Sequence, residues 1–187
     1  MKKLLLFFTS VVCVLAFMSS NAPAEEGKGM KPKVLIAYYS WSGNTKTVAE
    51  AIRKQTGGDI FEIRTVQKYP EAYRATTEQA KKEISEGFRP ELSALVENMQ
   101  EYDTVFIGSP NWWGTVAPAV SSFLEKHDLR GKKIVPVITH GGGGVQNTVR
   151  DLSTQCKGCE VSPNAWVGYG NTTSGVSEWL ARLGFSE

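Results

Sequence analysis

Ser40-Trp41-Ser42-Gly43-Asn44-Thr45 places three hydroxyls, a carboxamide and a glycine between an apolar run, Val34 to Tyr39, and a helix-forming run, Lys46 to Ile52. A strand that turns into a helix through such small residues aims unpaired backbone N–H groups at one point, where the helix dipole also favours negative charge. The Ser40, Ser42 and Thr45 hydroxyls can add donors. The turn holds no Lys or Arg, so an anion such as phosphate would be bound by neutral dipoles rather than by charge pairing. The same residues would also serve as an ordinary Ser/Thr helix cap.

A second segment favours the ligand reading. Thr104 to Gly108 reads as a short buried strand and runs into Ser109-Pro110-Asn111-Trp112-Trp113-Gly114 before a helical run, Val116 to Lys126. Neighbouring residues of an extended backbone point to opposite sides, so both tryptophans cannot face one core, and both are costly to leave wet. A planar aromatic ligand would give one of them a partner. A third segment, Thr139-His140-Gly141-Gly142-Gly143-Gly144, follows the strand-like Ile134 to Ile138, and its glycines would let backbone approach a flat ring closely.

The elements that must bring these loops together are five strand-helix units. Strands are expected at about Val34 to Tyr39, Asp59 to Arg64, Thr104 to Gly108, Ile134 to Thr139 and Val161 to Gly168. Parallel strands joined by helices cross over right-handed, which puts helices on both faces of the sheet. Tyr69 to Phe88 exceeds a minimal crossover, and Tyr73, Ala80 and Ile84 allow an extra helix there, packed on the sheet or covering a ligand's edge. The 187 residues suit one domain with a sizeable core.

The Ser/Thr-x-Ser/Thr-Gly-x-Thr turn resembles the FMN-phosphate loop of flavodoxins. With the other two loops, Tyr69-Pro70-x-x-Tyr73, Ala80-Lys81-Lys82-Glu83, Arg89-Pro90-Glu91-Leu92 and Trp179-Leu180-x-x-Leu183-Gly184, the stretch from Lys33 to Phe185 looks like a short-chain member of the flavodoxin-like family. The resemblance implies an α/β three-layer sandwich around a five-stranded parallel sheet of order 2-1-3-4-5. In that order the loops after strands 1 and 3 flank the crevice where the strand order reverses, a rule for which flavodoxin with FMN is itself the standard illustration. It further implies FMN as cofactor, its phosphate on Ser40, Trp41, Ser42, Gly43, Asn44 and Thr45. The ring would lie between Pro110, Asn111, Trp112, Trp113 and Gly114 on one side and Thr139, His140, Gly141 and Gly142 on the other, with one tryptophan stacking and the other packing on the protein. Two features depart from the pattern. Pro136 lies inside an expected interior strand and removes a ladder hydrogen bond, and the chain lacks the acidity typical of flavodoxins.

Residues 1–24 read as a secretory signal. Lys2-Lys3, the apolar run from Leu4 to Phe17, and Ala22-Pro23-Ala24 form its three parts, with cleavage expected after Ala24. The run is short for a membrane span, and Val11-Val12 before Cys13 do not suit lipoprotein processing. Residues 25–32 form a flexible leader, and 33–187 the flavodoxin-like domain. The protein is therefore expected in the periplasm or outside the cell. Without Lys2 and Lys3 the 21 basic residues fall to 19, matching the 19 acidic ones. A balanced chain without a basic stripe does not point to nucleic acid.

Cleavage would leave Cys156 and Cys159 as the only cysteines. A thioredoxin-type CxxC opens a helix, where the dipole lowers the thiol pKa. This pair instead follows a helix and precedes the last strand, at the end of the sheet opposite the three loops and roughly 20 Å away for a strand of about seven residues. A structural disulfide is expected rather than a catalytic couple. His127 reads as a solvated helix end. His140 is placed to hydrogen-bond the flavin or a substrate, or else its own loop. Neither histidine has companions for a metal site.

Other chemistries lack their residues. A phosphoacceptor domain needs carboxylates where Ser40 and Ser109 stand, and neither Gly-Lys-Ser/Thr nor Gly-x-Ser-x-Gly is present. The expected function is FMN-based electron transfer outside the cytoplasm, toward a redox protein partner or a small quinone-like acceptor. The alternatives are an FMN-dependent NAD(P)H:quinone-type reductase and a cofactor-free binding module on the same fold.

Overall fold

The computed structural model of the protein describes residues 32 to 185. The expected signal at residues 1–24 and nearly all of the 25–32 leader lie outside the described residues. Val34–Tyr38 forms β1, with every side chain buried. Such a run suits a central parallel strand covered on both faces. Leu35 and Ala37 enter one core with Ile107, Val120, Phe123 and Leu152. Val34, Ile36 and Tyr38 enter the other with Val48, Ile52, Phe106, Trp179 and Leu180.

The helices follow from that division. α1 (Asn44–Thr56) and α5 (Val176–Arg182) supply the second core, and α3 (Pro118–Lys126) and α4 (Thr148–Gln155) the first. The segment expected as an extra helix forms α2 (Tyr73–Glu86), the crossover helix of this structure, which buries Thr76, Ala80 and Glu83.

The remaining strands are β2 (Asp59–Glu62), β3 (Thr104–Trp112), β4 (Thr115–Val116), β5 (Lys133–His140), β6 (Glu160–Val161) and β7 (Trp166–Tyr169). Their order is β2-β1-β3-β5-β6, with β7 also beside β5. Counting β5 as the fourth strand and β6 with β7 as the fifth gives the expected order 2-1-3-4-5, and all these pairings are parallel.

Two expectations change. The fifth strand is not one run from Val161 to Gly168 but two pieces separated at Ser162 to Ala165. Pro136 gives the physical reason. Glu160, Ser162 and Gly170 donate to the carbonyls of Lys132, Ile134 and His140, so even-numbered residues of β5 direct their polar groups toward the fifth strand. Pro136 shares that phase and has no N–H to offer, and no residue of β6 or β7 pairs with it. Its missing donor thus falls at the gap.

The third strand, expected to stop at Gly108, continues to Trp112 and folds back on β4 through the pairs Asn111 with Val116 and Trp112 with Thr115. Trp113 and Gly114 form the two-residue turn, with φ of 53° and 87°. Two consecutive positive φ values match the twist of a tight hairpin. For tryptophan this conformation is an outlier that the surroundings must hold in place.

Candidate functional site

The carboxyl ends of β1, β3 and β5 open into a cleft of about 340 Å³. The sheet reverses order between β1 and β3, and a crevice at that point is where open α/β sheets bind ligands. Of the residues expected there, Trp41, Ser42, Asn44, Thr45, Pro110, Asn111, Trp112, Trp113, Thr139, His140 and Gly141 line it. Ser40, Gly43, Gly114 and Gly142 do not reach its surface. Among the lining residues there is no Asp, Glu, Lys or Arg.

The turn after β1 leaves the start of α1 open to an anion. Gly43 stands at the N-cap of α1 with φ 88°, and no side chain caps the helix. The first N–H groups of α1 are therefore not consumed by a Ser or Thr cap, and they keep the dipole end available. Ser40 Oγ is buried and has no hydrogen-bond partner, a costly state for a hydroxyl unless a ligand or water completes it. Thr45 is buried, and its hydroxyl lies 2.9 Å from that of Thr139. That bond uses one of the pair's two protons, leaving the other for a ligand. Close packing seats Thr45, because a Cβ on Gly108 would lie 2.6 Å from Tyr38 Cβ and 3.0 Å from Thr45 Cγ2.

The two tryptophans of the hairpin have different surroundings. Trp112 packs edge-on against Tyr39 and Tyr69, with centroids 5.5 and 5.1 Å away. Burial raises the phenol pKa of both tyrosines, and the bond from Tyr69 to the buried Glu83 carboxylate raises that of Tyr69 further. Both therefore stay protonated across the ordinary pH range. Trp113 is 57% exposed at the rim. Its Nε1 donates to Thr77 O at 2.9 Å, and Lys81 Nζ lies 5.0 Å from its ring centroid.

Trp41 similarly donates through Nε1 to Pro70 O at 2.9 Å. Two indoles from the first two loops thus hold the α2 segment as a further wall, made by Tyr73, Thr76, Thr77 and Ala80. Thr76 and Thr77 were not anticipated as site residues. Their signal was the i, i+3, i+4, i+7 spacing of Tyr73, Thr76, Thr77 and Ala80, which marks one helix face, here with threonine at two of the four positions.

His140 Nδ1 accepts from Gly142 N at 3.1 Å, and its ring meets Tyr169 edge-on at 5.9 Å. With Nδ1 an acceptor, the ring proton of that tautomer sits on Nε2. His127 is not a solvated helix end. It is half-buried, accepts from Val96 N at 2.9 Å through Nε2, and lies 2.9 Å from Phe123 O through Nδ1. Cys156 and Cys159 are joined as a disulfide between α4 and β6, at the end of the sheet away from the cleft. Among the described residues no group of His, Cys, Asp and Glu could hold a metal ion, and no helix is long and apolar enough to cross a membrane.

Sheet order, reversal point and cleft together define a flavodoxin-like α/β protein. Residues 33–183 match the sequence model of the family described as Flavodoxin, and the chain belongs to that family. Among solved structures, a Bacteroides eggerthii protein is 29% identical with a TM-score of 0.72, covering 82% of this chain and 99% of its own. A Lactobacillus acidophilus flavoprotein in complex with FMN is 26% identical with a TM-score of 0.67, covering 80% of this chain and 99% of its own. The NAD(P)H dehydrogenase (quinone) of Paracoccus denitrificans is 28% identical over 136 residues, 65% of this chain and 61% of that protein. The chain spans 46 to 61% of the length of the curated relatives it matches.

Proposed function

We propose that the protein binds FMN in this cleft and transfers electrons outside the cytoplasm. The observation that carries the reading is the uncapped turn of α1, with Ser42, Asn44 and Thr45 lining one end of an uncharged, aromatic-walled cleft. The residues fit the cofactor. Ser42, Asn44, Thr45 and the first N–H groups of α1 suit a phosphate, and the β3–β4 turn and the glycine loop suit the two faces of a flat ring. The flavin, when bound, supplies the electron chemistry. The chain would hold the phosphate by dipoles and exclude water from the ring with Trp112, Trp113 and the α2 wall, with His140 at the cleft lining.

Export rests on Lys2-Lys3, Leu4 to Phe17 and Ala22-Pro23-Ala24, and the exported chain is expected to begin at Glu25. Amino-terminal sequencing that returned Met1, or a lipid on Cys13, would overturn that part. A second reading, an NAD(P)H:quinone-type reductase, is favoured by the named activity of the Paracoccus relative. Two resolved one-electron steps in a redox titration would support the carrier, and sustained NAD(P)H oxidation with a quinone acceptor would support the reductase.

Cofactor binding is tested by titrating apoprotein with FMN and with riboflavin. Ser42→Ala should weaken FMN by about 0.5–3 kcal/mol and leave riboflavin unaffected, because it removes one donor to an anionic acceptor. Equal losses for both ligands would place the phosphate elsewhere, and binding of neither by the wild type would leave the cofactor-free module.

A further inference from the structure

We infer that Asn111 is a positioning residue: its carboxamide joins the β3–β4 turn to the glycine loop, so that the two walls of the cleft meet a planar ligand as one preorganised unit. Both ends of the amide are engaged by the protein. Nδ2 donates to Gly144 O at 2.7 Å, and Oδ1 accepts from Gly114 N at 2.9 Å. The far side of the same turn is tied as well, since Asn147 N donates to Gly114 O at 3.0 Å. Gln146, itself at φ 43°, fills the space between the loops, and a Cβ on Gly114 would lie 2.7 Å from its Oε1.

The two segments joined this way are the ones that most need holding. Trp113 sits in the left-handed region, which persists only where neighbouring contacts fix it. Gly141 to Gly144 are four consecutive glycines, with φ of 130° at Gly142 and 69° at Gly144, and glycine loses more backbone freedom on ordering than any other residue. Among the described residues, two side-chain hydrogen bonds restrain that loop, His140 to Gly142 N and Asn111 to Gly144 O. Ordering the loop before the ligand arrives removes that cost from binding. Only an amide serves, because Asp offers Gly144 O no donor and would set a carboxylate against a carbonyl, and Leu offers neither group.

The inference rests on the cleft taking a flavin ring, and its test separates the two. Backbone order parameters of Gly141 to Gly144 are measured by NMR relaxation in the apoprotein of wild type, Asn111→Leu and Asn111→Asp, and all three are titrated with FMN and riboflavin. In both variants the loop should fall from about 0.85 to below about 0.6, and both ligands should lose affinity equally, about tenfold. Should Asn111→Leu fail to fold, Asn111→Asp, which keeps the Oδ1 acceptor, carries the comparison alone. An unchanged glycine loop in the variants overturns the clamp. So does a loss confined to FMN, which would make Asn111 a direct phosphate ligand. If the wild type bound neither flavin, the FMN reading would fall while the order parameters still decided the clamp.

Discussion

The two ends of the parallel sheet are held by different means. At the carboxyl ends of the strands, the loops consist of glycine, serine, asparagine and tryptophan, tied by single hydrogen bonds such as Asn111 to Gly144 O and Trp113 to Thr77 O. At the amino ends, a disulfide joins Cys156 to Cys159, Arg130 grips Asp128 through contacts of 2.8 and 2.6 Å, and His127 is wedged between Val96 and Phe123. The Arg130 guanidinium holds the Asp128 carboxyl well below its ordinary range, although an exposed pair of this kind adds little stability. The cleft end retains an uncapped helix and an unpartnered hydroxyl. The other end ties its loops by a disulfide, an ion pair and the partly buried His127. The contrast separates a region shaped for a ligand from a region shaped for persistence.

The tryptophan pair tests the cleft side of this contrast with the largest expected effect. Trp112→Ala should lower folding stability by about 3 kcal/mol, because it empties an aromatic cluster with Tyr39 and Tyr69. Trp113→Gly should cost the apoprotein much less, since glycine accepts the positive φ without strain, which offsets part of the loss of the bond to Thr77 O. It should nevertheless weaken FMN binding by about 1–3 kcal/mol and relieve quenching of flavin fluorescence, as expected when an aromatic platform is removed. Denaturant unfolding and flavin fluorescence read the two effects separately. If both variants spared affinity and quenching, the ring would not lie against this turn.

Converting Cys156 and Cys159 to serine probes the other end. The closed loop is short, so stability should fall by about 2 kcal/mol or less, with flavin affinity and reduction preserved. Loss of electron transfer with fold and flavin intact would instead make the pair part of the redox path. His127 gives the smallest effect and has a definite sign. Burial lowers its pKa in the folded state from the ordinary value of 6.5, so its contribution is present above pH 6.5 and is lost as pH falls from there toward the folded value. The unfolding midpoint should drop between pH 7 and pH 5, and His127→Gln should flatten that slope. An unchanged slope would remove His127 as the cause.

Much of this division was legible in the sequence. The apolar runs at Val34, Thr104 and Ile134 identified buried parallel strands, and glycine, serine and tryptophan at their ends located the cleft. The extension of β3 was not legible, because Ser109-Pro110-Asn111-Trp112 lacks the alternation that marks a strand, and its pairing depends on a two-residue turn with tryptophan in the left-handed region. The split fifth strand was half visible. Pro136 flagged a lost donor, but only the phase of the sheet shows that this donor points at the gap before β7. His127 misled because Glu125, Lys126 and Asp128 around it are exposed, while its partner Val96 lies 31 residues away.

The break opposite Pro136 has a consequence for how the molecule behaves among copies of itself. An open sheet ends in a row of unpaired backbone groups, and a long flat edge is a template on which another chain can add a strand. Here that edge consists of pieces of two and four residues, β6 and β7, with the exposed Pro163 between them. Short edge strands and proline both resist strand addition. The interruption that accommodates a proline inside the sheet thus also guards the sheet's border against self-association.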